Sequence, residues 1–366
     1  MSGSDTILQF GTGRFLRSFV DLFVDESNAT RASNSRVIAV QSTGADRARQ
    51  IAKGPFHVAV RGMSGGERID TISAVHSVTR GLAADTDWDL VLKVAEDPDF
   101  GLVVSNTTEA GLALDDADTD HPSVPRSYPA KLLSVLLFRF RSELPGPSIL
   151  PCELVDRNGT ILRDLVLEQA VRWGVESRIQ SWLREGVTWC DTLVDRIVSA
   201  PPEDHPMLEE DPLLSVAEPF ALWAIATEGP APIDHPAIQT VKDVLPFSLR
   251  KVRILNGAHT ALVERALGQF VTVREAMADT DTRSWLTALV HDELVPCVAD
   301  RVEGAAAFAD SVFERFENPF LDHRLEDIAL HQADKVKVRL LPSYEDHRQK
   351  FGKPPTLLAQ ALERYL

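Results

Sequence analysis

Short apolar runs alternate with segments of helical period through the first part of the chain, and only the helical period persists later on. Thr6-Ile-Leu-Gln-Phe10, Arg36-Val-Ile-Ala-Val40 and Phe100-Gly-Leu-Val-Val-Ser105 are brief and bounded by turn residues, which predicts buried strands. Between the first two, Phe15, Phe19 and Phe23 recur every fourth position beside Leu16, Val20 and Val24, the pattern of a helix buried over a broad face. Val58–Arg61 and Arg68–Val75 flank Gly65-Gly66 as the arms of a hairpin, and Tyr128–Arg141 reads as an amphipathic helix. From Ile238 onward the period is helical over 238–246, 250–267, 271–277, 281–298, 300–316 and 321–332, with Asn318-Pro319 opening the last segment. Proline- and acid-rich stretches lie at Pro201–Pro212 and Glu228–Pro236, and the second is the expected boundary. The pattern predicts an α/β domain over 1–235 and a mainly α-helical substrate domain over 236–366.

The first strand runs directly into Gly11-Thr-Gly13 and then a helix, the strand–turn–helix entry of a Rossmann-type dinucleotide-binding domain. Glycines there let the backbone approach a pyrophosphate. The usual third glycine is replaced by Leu16, and Arg14 and Phe15 follow the second. The next strand ends in Gln41-Ser42-Thr43-Gly44, where an acid would grip the ribose of NAD and an arginine the phosphate of NADP. Neither stands there, so the coenzyme reads as a nicotinamide dinucleotide of open phosphate preference. Asn106, Thr107 and Glu109 follow the third strand, where a nicotinamide ribose would lie; the same loop also reads as a helix cap.

The strongest chemical signal is Lys251-Val-Arg-Ile-Leu-Asn-Gly-Ala-His259, three polar side chains in an apolar run. On an ideal helix Asn256 falls about 140° and His259 about 80° from Lys251, so all three share one arc. A lysine amine can take a hydroxyl proton while a hydride leaves the same carbon. An asparagine amide can donate to the oxygen as its charge changes, and a histidine can orient it.

Charge and cysteines narrow the partners. The chain has 366 residues with 38 Lys and Arg against 54 Asp and Glu, a net charge of −16. Such a surface repels nucleic acid and anionic membranes, and an anionic substrate would need a locally positive site. The three cysteines have no metal-type spacing, which argues against a cysteine-based metal site and fits a reducing cytoplasm. No apolar run is long enough for a membrane span, and no leader pattern opens the sequence.

Lys251–His259 resembles the signature of the polyol-specific long-chain dehydrogenases, the mannitol dehydrogenase family, and is most similar to its hexuronate-reducing branch. The resemblance implies Lys251 as general acid/base, Asn256 and His259 on the reacting oxygen, and no metal. It also implies that Gly11, Gly13, Arg14, Phe15, Gln41, Ser42, Asn106, Thr107 and Glu109 hold the coenzyme. Val40-Gln-Ser-Thr-Gly44 and Ser77-Val-Thr-Arg80 are similar to the same branch, whose usual coenzyme is NAD. A Cys-acid phrase ending in Asn-Gly borders the active site in that family. Here it is Cys152-Glu153…Asn158-Gly159, with Leu154 in place of a second oxygen-binding asparagine and Asn158 the nearest substitute. Lys335 matches a family lysine that binds substrate hydroxyls or carboxylate. The expected reaction is the interconversion of a keto-sugar acid and its alcohol, of the tagaturonate/altronate type. The alternatives are a dehydrogenase of neutral polyols or their phosphates, and a non-catalytic dinucleotide sensor.

Overall fold

The computed structural model describes residues 6–107, 111–119 and 123–366. Two compact units divide the chain. One comprises Met1–Val60, Thr71–Ala217 and Ala221–Val244, and the other Arg61–Asp70, Glu218–Phe220 and Leu245–Leu366.

The first unit is built on six parallel strands, Thr6–Phe10, Arg36–Gln41, Val78–Ala83, Phe100–Ser105, Ser148–Pro151 and Thr188–Trp189. Numbered in chain order, they lie 3-2-1-4-5-6 across the sheet. That order reverses direction between Thr6–Phe10 and Phe100–Ser105, and ligands of such sheets gather at this switch point, beyond the carboxyl ends of the strands. Register brings those ends level: Phe10 pairs with Val40 on one side and Ser105 on the other. Ile7, Leu8, Val37, Val40, Val103 and Val104 are buried because helices cover both faces of the sheet.

Helix Arg14–Arg17 is short, and a break at Ser18-Phe19 precedes Val20–Ala29, so the phenylalanine period spans two helices rather than one. Helix Tyr128–Arg141 forms as expected, capped by Ser127, but it is enclosed on nearly every side rather than amphipathic. The hairpin also forms, as Phe56–Ser64 and Glu67–Val75, with both turn glycines at positive φ.

The second unit is helical, with one apolar core that includes Ile254, Leu262, Leu286, Leu294, Val312 and Leu340. Two expectations are corrected. Residues 238–246 form no helix: Ile238–Val241 is a strand paired in parallel with Leu222–Ala226, and helix begins only at Leu245. Ile238 and Val241 mimic a helical period, but the partner strand's open edge supplies the hydrogen bonds. The 321–332 segment is also interrupted: Leu325–Ala329 is one helix, and His331, in the left-handed region at φ 57°, starts another over Gln332–Arg339.

Candidate active site

In the first unit, the three turns leaving the carboxyl edge are tied together through backbone. Gly11 N–H donates to Val40 O at 3.0 Å, and Asn106 N–H donates to Phe10 O at 3.1 Å. Gly11 has φ 129°, and a Cβ on it would lie 2.9 Å from Leu16 Cδ1 and 3.1 Å from Asn106 O. This explains Leu16: the position of the missing third glycine is filled by a core side chain that packs beneath the turn. Space next to Gly13 is open, and Arg14 is exposed. Phe15 stacks on Phe19 with centroids 4.9 Å apart.

Buried polar groups pin these turns from below. Arg17, 3% exposed, donates from Nη1 to Thr12 O and from Nη2 to Leu213 O, both at 2.7 Å. The Gln41 amide closes the next turn, accepting from Ala48 N at 2.9 Å and donating to Thr43 O at 2.8 Å. The Ser42 hydroxyl is buried without a partner among the described residues. Asn106 Nδ2 donates to Cys152 O at 2.8 Å. The Glu153 carboxylate accepts from Thr107 N at 2.9 Å, Thr107 Oγ1 at 3.0 Å and Ser105 Oγ at 3.1 Å. Burial pushes the Glu153 carboxyl up, against the pull of those donors. Glu109 lies outside the described residues.

Asn158 does not serve as a substrate donor in this arrangement. It is 1% exposed; its Nδ2 donates to Pro151 O, Glu153 O and Thr192 O, and its Oδ1 accepts from Gly159 N and Thr192 N. An amide so committed to main chain has nothing left for a ligand. Asn158-Gly159 opens the helix Asn158–Arg172. Gly159 is required there because a Cβ would fall 2.2 Å from Cys190 O.

In the second unit, Lys251, Asn256 and His259 lie along one continuous helical run, Leu245–Arg250, Lys251–Leu255 and Asn256–Ala266. The middle segment is π-helical, and Asn256 N–H donates to Lys251 O, five residues back. A widened turn of this kind sets positions five apart nearly over one another, which an α-turn would leave far around the helix. The π-turn thus gathers Lys251 and Asn256 onto one face more tightly than the plain helical reading allowed. Both are half-buried, and His259 is 8% exposed.

His259 packs against the Phe316 ring at 4.1 Å, with His323 edge-on at 5.1 Å. Its imidazole is held well below the usual histidine value, first by burial and then by His323, Arg315 and Arg339. A neutral imidazole has one ring nitrogen to donate and one to accept. Arg315 is neutralised by Glu218 through paired contacts of 2.9 and 2.8 Å, each side chain 3% exposed, and its guanidinium sits 4.5 Å from the Phe220 ring centroid. Lys335 Nζ donates to Ile328 O at 2.7 Å, and Arg339 Nη1 donates to Thr260 Oγ1 at 3.3 Å. The sequence reading missed Arg315, Glu218, His323 and Arg339; only the spacing of Arg339, one turn after Lys335, was a usable signal. Among the described residues no group of three or more His, Cys, Asp or Glu side chains is placed to hold a metal ion.

A parallel sheet of this order with a glycine turn at its switch point, and a helical unit bearing lysine, asparagine and neutral histidine on one face, define a nicotinamide-dependent dehydrogenase. Residues 5–239 match the model of the mannitol dehydrogenase Rossmann domain, and residues 243–364 that of the mannitol dehydrogenase C-terminal domain. The chain belongs to the mannitol dehydrogenase family and is a dehydrogenase acting on CH–OH groups. An altronate oxidoreductase of Halalkalibacterium halodurans is 38% identical, over 98% of this chain and 74% of its own length. That of Bacillus subtilis is 34% identical, over 97% and 77%. Among solved structures, the chain resembles a Pseudomonas fluorescens mannitol 2-dehydrogenase in complex with NAD and D-mannitol (TM-score 0.77, 21% identity, 98% of this chain and 78% of that one). It also resembles a substrate-free D-sorbitol dehydrogenase (TM-score 0.85, 22% identity, 99% and 80%). At these identities the two structures speak for the fold.

Proposed function

We propose that the chain interconverts a keto-sugar acid and its sugar-acid alcohol, tagaturonate and altronate, with NAD as coenzyme. The observation that carries this reading is the run of altronate oxidoreductases from several organisms, 34–38% identical over nearly the whole chain. The residues fit the coenzyme: Gly11 admits close backbone approach, the space beside Gly13 is open, and Gln41–Gly44 offers no arginine for a ribose phosphate. Gly11, Gly13, Arg14, Phe15, Gln41, Ser42, Asn106 and Thr107 would hold it, with Arg17 and Glu153 fixing the turns.

A bound nicotinamide would supply the hydride acceptor for the alcohol carbon in oxidation and the hydride donor for the ketone in reduction. Lys251 Nζ takes the hydroxyl proton in oxidation and gives it back in reduction. Asn256 donates its amide N–H to the same oxygen as that oxygen changes charge. His259 stays neutral, because protonating it would bury a charge beside arginine. It therefore orients hydroxyls without carrying the proton, which is left to Lys251.

A panel of ketoses and keto-uronates, followed by NADH and NADPH consumption, tests the reading. Fastest turnover with tagaturonate and NADH is expected. A clear preference for fructose over every keto-uronate would move the enzyme to the neutral polyols. NADH binding without oxidation by any keto-sugar would make it a sensor.

A further inference from the structure

We propose that Arg339 is the carboxylate anchor of this site, with Lys335 reinforcing its charge, and that this pair sets the preference for sugar acids over neutral polyols. The proposal rests on the sugar-acid reading given above, which assigns no residue to the carboxylate beyond Lys335.

Three observations single out Arg339. It closes the helix Gln332–Arg339, and its Nη1 reaches across to Thr260 Oγ1 on the neighbouring helix at 3.3 Å. Thr260 is the residue after His259, and its hydroxyl in turn donates to the Asn256 carbonyl at 2.7 Å. The guanidinium therefore stands beside the residues that would hold the reacting oxygen. A merely solvated arginine at a helix end would instead turn toward its own last carbonyls.

Charge is the second observation. Neither Arg339 nor Lys335 has an ion-pair partner among the described residues, although the chain carries 54 acids. The nearby Arg315 is neutralised by Glu218, and on the outer side of the same helix Lys337 pairs with Asp334 at 3.2 Å. Burial and the neighbouring Arg339 both lower Lys335, and burial lowers Arg339.

Spacing is the third. Two like charges one turn apart on a helix repel each other, so an unneutralised Lys335/Arg339 pair is destabilising in isolation. A bound carboxylate relieves the repulsion, and a guanidinium fork matches its two oxygens. Lys335 is tethered to Ile328 O at 2.7 Å, which makes it the supporting cation and Arg339 the direct contact.

The test compares kcat/KM for oxidation of D-altronate and D-mannitol by the wild type, Arg339→Gln, Arg339→Lys and, as a control, Lys337→Gln, with thermal unfolding of each. Where D-mannitol turns over too slowly, its inhibition constant against D-altronate replaces its kcat/KM. Arg339→Gln should lower the altronate-to-mannitol ratio roughly 100-fold, mainly by raising the altronate KM. Arg339→Lys should fall between, keeping the charge and losing the fork, and it serves in place of the glutamine variant if that one does not fold. Lys337→Gln should leave the ratio where it was. A wild type inert toward every sugar acid would remove the functional reading itself. If the wild type oxidises D-altronate and Arg339→Gln keeps the ratio, or loses both substrates equally at an unchanged melting temperature, the anchor role is wrong while the reading stands. An equal drop in Lys337→Gln would reduce the effect to general charge and overturn the proposal as well.

Discussion

The carboxyl edge of the first unit's sheet and the Leu245–Ala266 run of the second use polar residues in opposite ways. At the sheet edge, Arg17, Gln41, Glu153 and Asn158 are turned onto main-chain groups, holding glycine and threonine turns in place. That leaves the turn backbone, with Arg14 exposed beside it, to meet a coenzyme whose phosphates and ribose are alike in every cycle. On the helical run, Asn256, His259 and the nearby Arg339 keep donor or acceptor capacity after their structural contacts are counted. That suits a substrate whose charge and protonation change as it reacts. The difference predicts two kinds of failure. Altering the helical run should remove turnover and leave folding intact, whereas altering the sheet edge should move stability and coenzyme affinity together.

Lys251→Ala gives the largest effect. The proton carrier disappears, so kcat should fall by roughly 10³–10⁴, with NADH binding and melting temperature nearly unchanged. Fluorescence titration with NADH beside steady-state kinetics decides it. Loss of NADH binding together with turnover would break the division of roles between the two regions.

Arg315→Met comes next and tests the limit of the comparison, since this pair is a structural device inside the second unit. Removing the arginine takes the guanidinium away from a carboxylate 3% exposed and should cost about 3–5 kcal/mol of stability. Combining it with Glu218→Leu should recover most of that loss in chemical denaturation, because the buried carboxylate is then gone as well. A single variant as stable as the wild type would mean that Glu218 reaches water or takes a proton.

Much of this fold was legible because parallel strands buried on both faces must read as apolar runs. Thr6–Phe10, Arg36–Gln41 and Phe100–Ser105 do so, and the Gly11–Gly13 turn marks their switch point. The lysine, asparagine and histidine were legible by spacing, but the π-turn was not. Residue type at 251–255 does not encode which carbonyl Asn256 N–H will choose; packing of that helix decides it. Asn158 was misread as a substrate donor because residue type does not show that its amide is spent on main chain, and glycine follows it because a Cβ there would fall 2.2 Å from Cys190 O, which is distant in sequence. Arg17 was invisible for the same reason, and Glu153 showed only as the acid of the Cys152-Glu153 phrase and not as a brace for the 105–107 turn, since a buried charge shows itself through partners the fold brings to it.

Asp21 sharpens the sheet-edge side of the comparison. It is fully buried, accepts from Gln9 Nε2 at 3.3 Å, and both Asp21 Oδ1 and Gln9 Oε1 lack a partner among the described residues. Burial raises its carboxyl from 3.8 to about 7, against the Gln9 bond and the Arg17 charge. The folded state therefore holds a proton that the unfolded chain has released, and the stability linked to that proton is lost as pH rises from 3.8 to about 7. The slope is roughly 1.4 kcal/mol per pH unit across the window. Asp21→Asn is permanently neutral and should be more stable than the wild type by about 2–4 kcal/mol at pH 8, with the gap closing near pH 4. Equal gains at both pH values would point to packing rather than to the proton.

Glu153→Gln is the mildest test and the one aimed most directly at the sheet edge. Glutamine keeps the length of the side chain and an acceptor for Thr107, and its N–H₂ meets Ser105 Oγ only if that hydroxyl turns to accept. The hydrogen bonds to the 105–107 turn then lose their charge assistance in a buried site, at about 1–3 kcal/mol of stability. Because Asn106 and Thr107 are proposed to carry the nicotinamide ribose, the KM for NADH should rise about tenfold for each 1.4 kcal/mol of that loss felt by the bound coenzyme. Saturating kcat should stay within a small factor of the wild type, since Lys251, Asn256 and His259 are untouched. A fall in kcat at unchanged NADH KM would place the Glu153 carboxyl in the chemistry itself, and the contrast between a sheet edge that only holds and a helix that reacts would be lost.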